Sequence, residues 1–335
     1  ISRVAPPPFF HGVRTMSAEE IVASLHDRFR LLTGGARTAV RRQQTLRASV
    51  DWSHALLTDA ERAVFRRLAV FVGGFDLDAA QAVTGDTEVE RYQVLDQLGL
   101  LVDKSLVVAE NDCGTSRYRL LETMRQYALE KLSESGESVA VRDRHRDHFT
   151  RLAAMLDDRT YLARKRGRER IETDIDNVRA AFGWCLENGD AGAALRLASS
   201  LQAIWNTGGT GSGPWGRAAE GVAWFDAVLT NPDIDLAEVP ADVMARALAD
   251  SVQLFAAVGR DGDIDRVQRA VAIARESGDP GLLARALFAC GSAYVDDSEQ
   301  ARAYFGEALE LARTADDRWM VCGILAWTAY ATDRK

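Results

Sequence analysis

Apolar residues along RYRLLETMRQYALEKL, Arg117 to Leu132, fall at Leu121, Met124, Ala128 and Leu132, intervals of 3, 4 and 4. That spacing predicts a helix with one apolar face. Glu122 in its first turn and Lys131 in its last suit the helix dipole, and Gly136 follows as a stop. Upstream, Leu106 to Ala109 and Arg117 to Leu120 read as two short strands, with residues 111–116 as their turn. Three helical patterns precede the strands. Thr45 opens the first, with Leu46, Val50 and Leu57 inward. Thr58 and Glu61 form a capping box for the second, whose inward residues are Val64, Leu68 and Phe71 and whose end is Gly73-Gly74. Asp76 caps a short turn, Leu77 to Val83, and Thr87 with Glu90 opens a third helix with Leu95, Leu98 and Leu101 inward. Three helices, a hairpin and a closing helix make a winged helix.

The pattern then turns all-helical. Val141 to Leu156 reads as one helix. Ile175, Val178, Phe182 and Cys185 mark another, and Leu197, Leu201 and Ile204 its return after Asn188-Gly189-Asp190. AIARESGD, Ala272 to Asp279, recurs as ELARTADD, Glu310 to Asp317, at a spacing of 38. Gly291, Tyr294, Ala301, Phe305 and Ala308 fit tetratricopeptide-like positions, and Trp319 to Tyr330 reads as a further helix. A repeat needs its neighbour to bury its apolar face, so the chain is expected to be cut inside an array. At the other end, Pro6-Pro7-Pro8 forbids a helix. Ser17 with Glu20 and the stripe Ile21, Leu25, Phe29 and Leu32 then predict one.

The runs QTLRASVDWSHALLTDAERAVFRRLAVFVGGFDLDAAQAV, LDQLGLLVDKSLV and RYRLLETMRQYALEKL resemble the winged-helix segment of large actinobacterial regulators. These are signal-transduction ATPases with numerous domains, often described as LuxR-type or AfsR-like. In them an NTPase module precedes the winged helix and a helical-repeat sensor follows it. The resemblance covers residues 17–205 well and the remainder loosely. It implies a mainly α fold, a winged helix with a small β-hairpin followed by α-helical tetratricopeptide-like repeats. The expected domains are a lead-in over 1–44, a winged helix over 45–136, helical hairpins over 137–230 and repeats over 231–335. The proline run and Ile1 stand where that family has an apolar helix, which points to a truncated or altered start.

Composition narrows the function. The 335 residues are 47% hydrophobic and 27% charged, as in an ordinary globular protein. A net charge of −8 argues against a chain dominated by nucleic-acid contacts. No apolar run is long enough to span a bilayer. Cys113, Cys185, Cys290 and Cys322 are far apart and read as buried reduced thiols in a cytoplasmic protein. None of the four lysines, at 104, 131, 165 and 335, follows a glycine, so the phosphate-binding loop is missing. ATP is expected only if an ATPase module lies elsewhere. In apoptotic and plant-immunity relatives a Met-His-Asp motif in the winged helix senses ADP; the matching positions here are Leu120, Leu121 and Glu122, without the histidine.

Other patterns favour plain readings. Gly211, Gly213 and Gly216 spell a dinucleotide motif, but a helix precedes them and Pro214 lies inside, so a loop is expected. His145 and His148, with Asp143 and Asp147, read as a solvated helix face rather than metal ligands. The basic run Arg164, Lys165, Arg166 and Arg168 is a candidate phosphate contact, partly neutralised by Glu169, Glu172 and Asp174. The third helix of the winged helix offers Arg91, Gln93 and Gln97 to DNA, against Glu88, Glu90 and Asp96. No catalytic, cofactor or metal residues are assigned. The expected role is a non-enzymatic sensor portion of a transcriptional regulator, acting on a protein or peptide partner through its repeats. DNA binding by the winged helix is the alternative, and a non-functional fragment of a larger regulator is a third reading.

Overall fold

The computed structural model describes residues 47–85, 90–112, 115–157, 161–205, 216–260 and 262–333. The chain divides into two compact units, 1–62 and 63–335. In the first, helix α1 spans 47–55. The capping box is present: the Thr58 amide donates to Glu61 at 2.7 Å and the Glu61 amide to Thr58 Oγ1 at 3.3 Å. It opens α2, Asp59–Arg67, which crosses into the second unit.

The second unit is mainly α, with one small sheet. Helices α3 (Leu77–Thr84) and α4 (Gln93–Asp103) follow α2. Strands β2 (Val108–Asp112) and β3 (Thr115–Arg119) form the wing, and α5 (Glu122–Ser135) closes it. The hairpin is longer than the sequence pattern predicts, because pairing continues from Val108↔Arg119 to Asp112↔Thr115. A third strand was not foreseen. Gly73, at φ +84°, swings the chain so that β1, Gly74–Phe75, pairs with β3, giving the order β1-β3-β2. Two glycines that look like a helix stop thus also extend the sheet, and α2 itself ends earlier, in a 3-10 turn at Leu68–Val70.

Two inward positions need correction. Leu95 is 47% exposed, and α4 instead buries Val94, Leu98 and Leu101. Val94, Leu98 and Leu101, at intervals of 4 and 3, share one side of the helix, and Leu95 falls off its edge. Leu121 is 44% exposed in extended backbone just before α5, where Leu120 and Tyr127 are buried in its stead. Thr87, Glu88 and the glycine motif at 211 and 213 lie outside the described residues, as does the lead-in before 47.

Helices α6 (Ser138–Ala154), α7 (Tyr161–Thr173), α8 (Ile175–Glu187), α9 (Ala191–Ser200), α10 (Gln202–Trp205) and α11 (Gly216–Leu229) continue the chain. The repeat part is α12 (Ala241–Ala257), α13 (Ile264–Ser277), α14 (Pro280–Ala293), α15 (Ser298–Thr314) and α16 (Arg318–Asp333). The 38-residue match has a local cause. Asp279 accepts from the amides opening α14, and Asp317 from the Met320 amide in α16. The residues just before them, Gly278 and Asp316, both have positive φ, a conformation that aspartate tolerates better than most side chains. Gly291 is required by packing, since a Cβ there would meet Phe305 at 2.3 Å.

His145 and His148 are not on a solvated face; both are buried. His145 packs edge-on to Phe71 and tilted against Phe149, and His148 edge-on to Phe149. The aromatic cluster at the winged-helix boundary takes up that face of α6. Burial lowers His145 to about 3, against a weak hydrogen bond with Asn177, and lowers His148 to about 4. Unfolded, both titrate near 6.5, so the unfolded chain takes up protons first as pH falls. Stability is therefore full above 6.5 and drains between 6.5 and the folded values. At pH 5 the expected loss is about 2 kcal/mol for each histidine. Urea midpoints at pH 7 and pH 5 check this, and His145→Gln should remove about half of the difference. His, Cys, Asp and Glu side chains do not gather into a metal-binding group among the described residues.

Candidate functional site

The first candidate is α4. Arg91 is exposed in the turn before the helix, and Gln93 spends its Oε1 on the Glu90 amide at 3.1 Å. Gln97 is half-buried with its Oε1 enclosed. The outer face instead carries Tyr92, Leu95 and Leu100, at 67%, 47% and 44% exposure, together with Asp96 and Asp103. An apolar and acidic face is poorly suited to phosphates. The wing's arginines are engaged as well: Arg119 with Glu110 and Arg117 with Asp174.

That last pair belongs to a weld between the winged helix and the helices after it. Asn177 on α8 accepts from the Val72 amide at 2.7 Å and donates to the Gly74 carbonyl at 2.9 Å. Arg170 on α7 reaches Asp76 at 2.8 Å, and Arg144 on α6 donates to the Val83 carbonyl at 2.7 Å. Buried Arg67 on α2, together with Arg66, holds Glu137 at the start of α6. Burial alone would raise the Glu137 carboxyl; the two guanidinium hydrogen bonds outweigh it and hold the group at about 2. Charged and amide groups thus join the winged helix to the helices after it at several points. No sequence signal marks Asn177, because its backbone partners Val72 and Gly74 lie more than a hundred residues away.

The second candidate is a cleft of about 770 Å³, walled by α7, α10, α12, α14 and α16. Arg164, Lys165 and Arg168 of the basic run line it, whereas Arg166 is exposed and does not. Arg164 lies over the Trp319 ring, 4.9 Å from its centroid. Lys165 faces Glu169 at 4.0 Å and Arg168 faces Glu172 at 3.0 Å. Behind the floor, fully buried Asp250 binds Arg285 at 2.9 Å. Arg246 bridges Asp250 to Asp157. Cys185 and Cys290 are buried, and burial pushes both thiols up to about 12. Cys322 departs from the expected pattern: it is exposed, on the cleft wall. Its helix turns that face toward the opening.

Residues 57–133 match a winged helix-turn-helix domain. The chain is also homologous to proteins provisionally named HTH-type transcriptional regulators. In Mycobacterium tuberculosis and Mycobacterium bovis such relatives are 52% identical over 327 residues, covering 96% of this chain and 36% of their own length. An uncharacterized Mycobacterium tuberculosis protein is 60% identical over 136 residues, 40% of this chain and 35% of that protein. The chain thus spans about a third of the length of these relatives. The crystal structure of a Signal Transduction ATPase with Numerous Domains protein with a tetratricopeptide repeat sensor, from Pyrococcus horikoshii, aligns over 84% of this chain and 48% of that one. Its identity is 14% and its TM-score 0.31, an overlap too loose to bear on the function of this chain. Among the described residues no helix is long and apolar enough to cross a membrane.

Proposed function

We propose that this chain is the non-enzymatic sensor portion of a LuxR-type or AfsR-like transcriptional regulator of the signal-transduction ATPase kind, working through a protein or peptide partner on its helical repeats. The observation that carries this is the weld. The winged helix is clamped to the helical array through Asn177, Arg117, Glu137 and Asp76, so an event in the array reaches it through stiff polar contacts. Its functional divisions are those at 45, 137 and 231. Buried, high-pKa thiols at Cys185 and Cys290 fit a cytoplasmic setting.

A second reading is direct DNA binding by the winged helix, favoured by the helix-turn-helix match and by the names of the mycobacterial relatives. The acidic and apolar outer face of α4 weighs against it. Gel shifts with random duplex and with the native upstream region separate the two. The expected result is binding no tighter than about 10⁻⁴–10⁻⁶ M at physiological salt, the nonspecific range. Residual binding should depend on Arg164, Lys165, Arg166 and Arg168. Nanomolar, sequence-selective binding abolished by Arg91→Ala would instead establish DNA readout.

A further inference from the structure

We propose that this chain pairs with a second copy of itself, the outer face of α4 in one protomer resting on the patch where α6 meets α7 in the other. The pairing goes beyond the partner assigned to the repeats. Its residues belong neither to the weld nor to the lining of the cleft.

Two exposed patches of opposite charge carry the assignment. On and just before α4, Tyr92, Leu95, Asp96, Gly99, Leu100 and Asp103 are all exposed. Steps of three and four residues put them on one side of the helix, opposite buried Val94, Leu98 and Leu101. The middle of that side is bare: a Cβ on Gly99 would meet no atom outside its own helix within 4 Å. Asp96 and Asp103 form no ion pair among the described residues, and the cations Arg91 and Lys104 stand at the two ends.

The second patch is basic. Met155, in the turn that ends α6, lies against Gly167 on α7, where a Cβ would meet the Met155 Cβ at 3.3 Å. Arg151 stands one turn before Met155, and Leu162 and Arg166 stand one turn apart on α7. All four are exposed, Leu162 at 64% and Met155 at 37%. Arg151 and Arg166 form no ion pair among the described residues, while Lys165 beside them is answered by Glu169.

Each patch thus offers large apolar side chains between two uncommitted charges, and the signs are opposite. Laying like on like would set acid against acid or base against base. Only the crossed arrangement matches Asp96 and Asp103 with Arg151 and Arg166 while covering Tyr92, Leu95 and Leu100 with Met155 and Leu162. Such complementarity fixes register and rejects wrong pairings. Both patches are open to solvent on one chain, so the counterpart of each is supplied by a second copy. Helix α3 packs against both α4 and α6. A two-fold axis near α3 would let the same contact occur twice, in the closed symmetry commonest among oligomers.

The test is sedimentation velocity of the full chain from micromolar to millimolar concentration. The expected result is a reversible monomer–dimer equilibrium. Asp96→Lys with Asp103→Lys should weaken the dimer at least about tenfold, and so should Arg151→Glu with Arg166→Glu, because like charges then face one another. Mixed in equal amounts, the two charge-reversed chains should pair again within about threefold of the parent affinity, since both contacts then join opposite charges. Rescue on mixing separates a lost contact from a damaged fold. Raising salt from about 0.1 to about 1 M should weaken the parent dimer several-fold through screening.

The proposal is overturned if the chain stays monomeric, if either reversal leaves the dimer intact, or if the mixture does not recover. Growth beyond a dimer with concentration would overturn the closed two-fold arrangement. A salt-insensitive dimer abolished by Leu325→Asp, on the exposed side of α16, would overturn it in favour of that apolar face.

Discussion

Leu98→Asp is expected to abolish cooperative melting of the winged helix, while Leu95→Asp three residues away on the same helix is expected to leave it nearly unchanged. Leu98 is fully buried, between Val94 and Leu101 on the inward side of α4. An aspartate there exchanges apolar contact for a charge without a partner. That costs several kcal/mol, against a total stability of about 5–15 kcal/mol for a domain of this kind. Leu95 is 47% exposed. An aspartate there meets water, and the change should stay within about 0.5 kcal/mol. Circular dichroism during thermal and guanidinium unfolding measures both. An unchanged midpoint for Leu98→Asp would remove Leu98 from the core, and equal losses for the two variants would mean that α4 has the phase read from the sequence.

The second large effect is expected at the weld. Glu137→Ala removes the carboxylate that takes a hydrogen bond from Arg66 Nε and another from Arg67 Nη2. Arg67 is completely buried and also donates to the Thr84 carbonyl at 2.9 Å. Taking the anion from a buried pair typically costs about 3–5 kcal/mol, because the cation stays out of water with one charged partner fewer. Denaturant titration of Glu137→Ala should therefore show a large fall in midpoint. Adding Arg67→Met should restore a substantial part of it, since apolar replacement of both partners is often close to neutral. If the double variant is as unstable as the sum of the two single variants, the pair is not coupled and the weld is weaker than its geometry implies.

The reach of local signals explains which elements were readable. The Thr58–Glu61 box and the Asp76 cap are made by residues three apart, and both are present. The aligned copies at 272–279 and 310–317 hold their caps for the same reason. Leu95 and Leu121 went the other way. Periodicity tells that an apolar face exists, but α4 offers two overlapping apolar sets and packing chooses Val94 over Leu95, while Leu121 lies in extended backbone just before α5. His145 and His148 look polar in the sequence, and only the approach of Phe71 and Phe149 makes them core residues.

The candidate sites divide along the same line. The basic run from Arg164 to Arg168 is visible in any reading of the chain, and three of its members do line the cleft. The patch of Arg151, Met155, Leu162 and Arg166 carries no signal in sequence and exists only because α6 and α7 set Met155 against Gly167. Sequence by itself determined the mainly α fold, the winged helix with its hairpin, the repeat spacing and the caps at Thr58 and Asp76, since hydrophobic period and capping chemistry act over a few residues. Tertiary structure alone decided the strand at Gly74, the buried histidines, the clamp through Asn177 and Glu137 and the patch where α6 meets α7. Those depend on which distant surfaces meet, and burial there changes what a polar group costs and what it can bind.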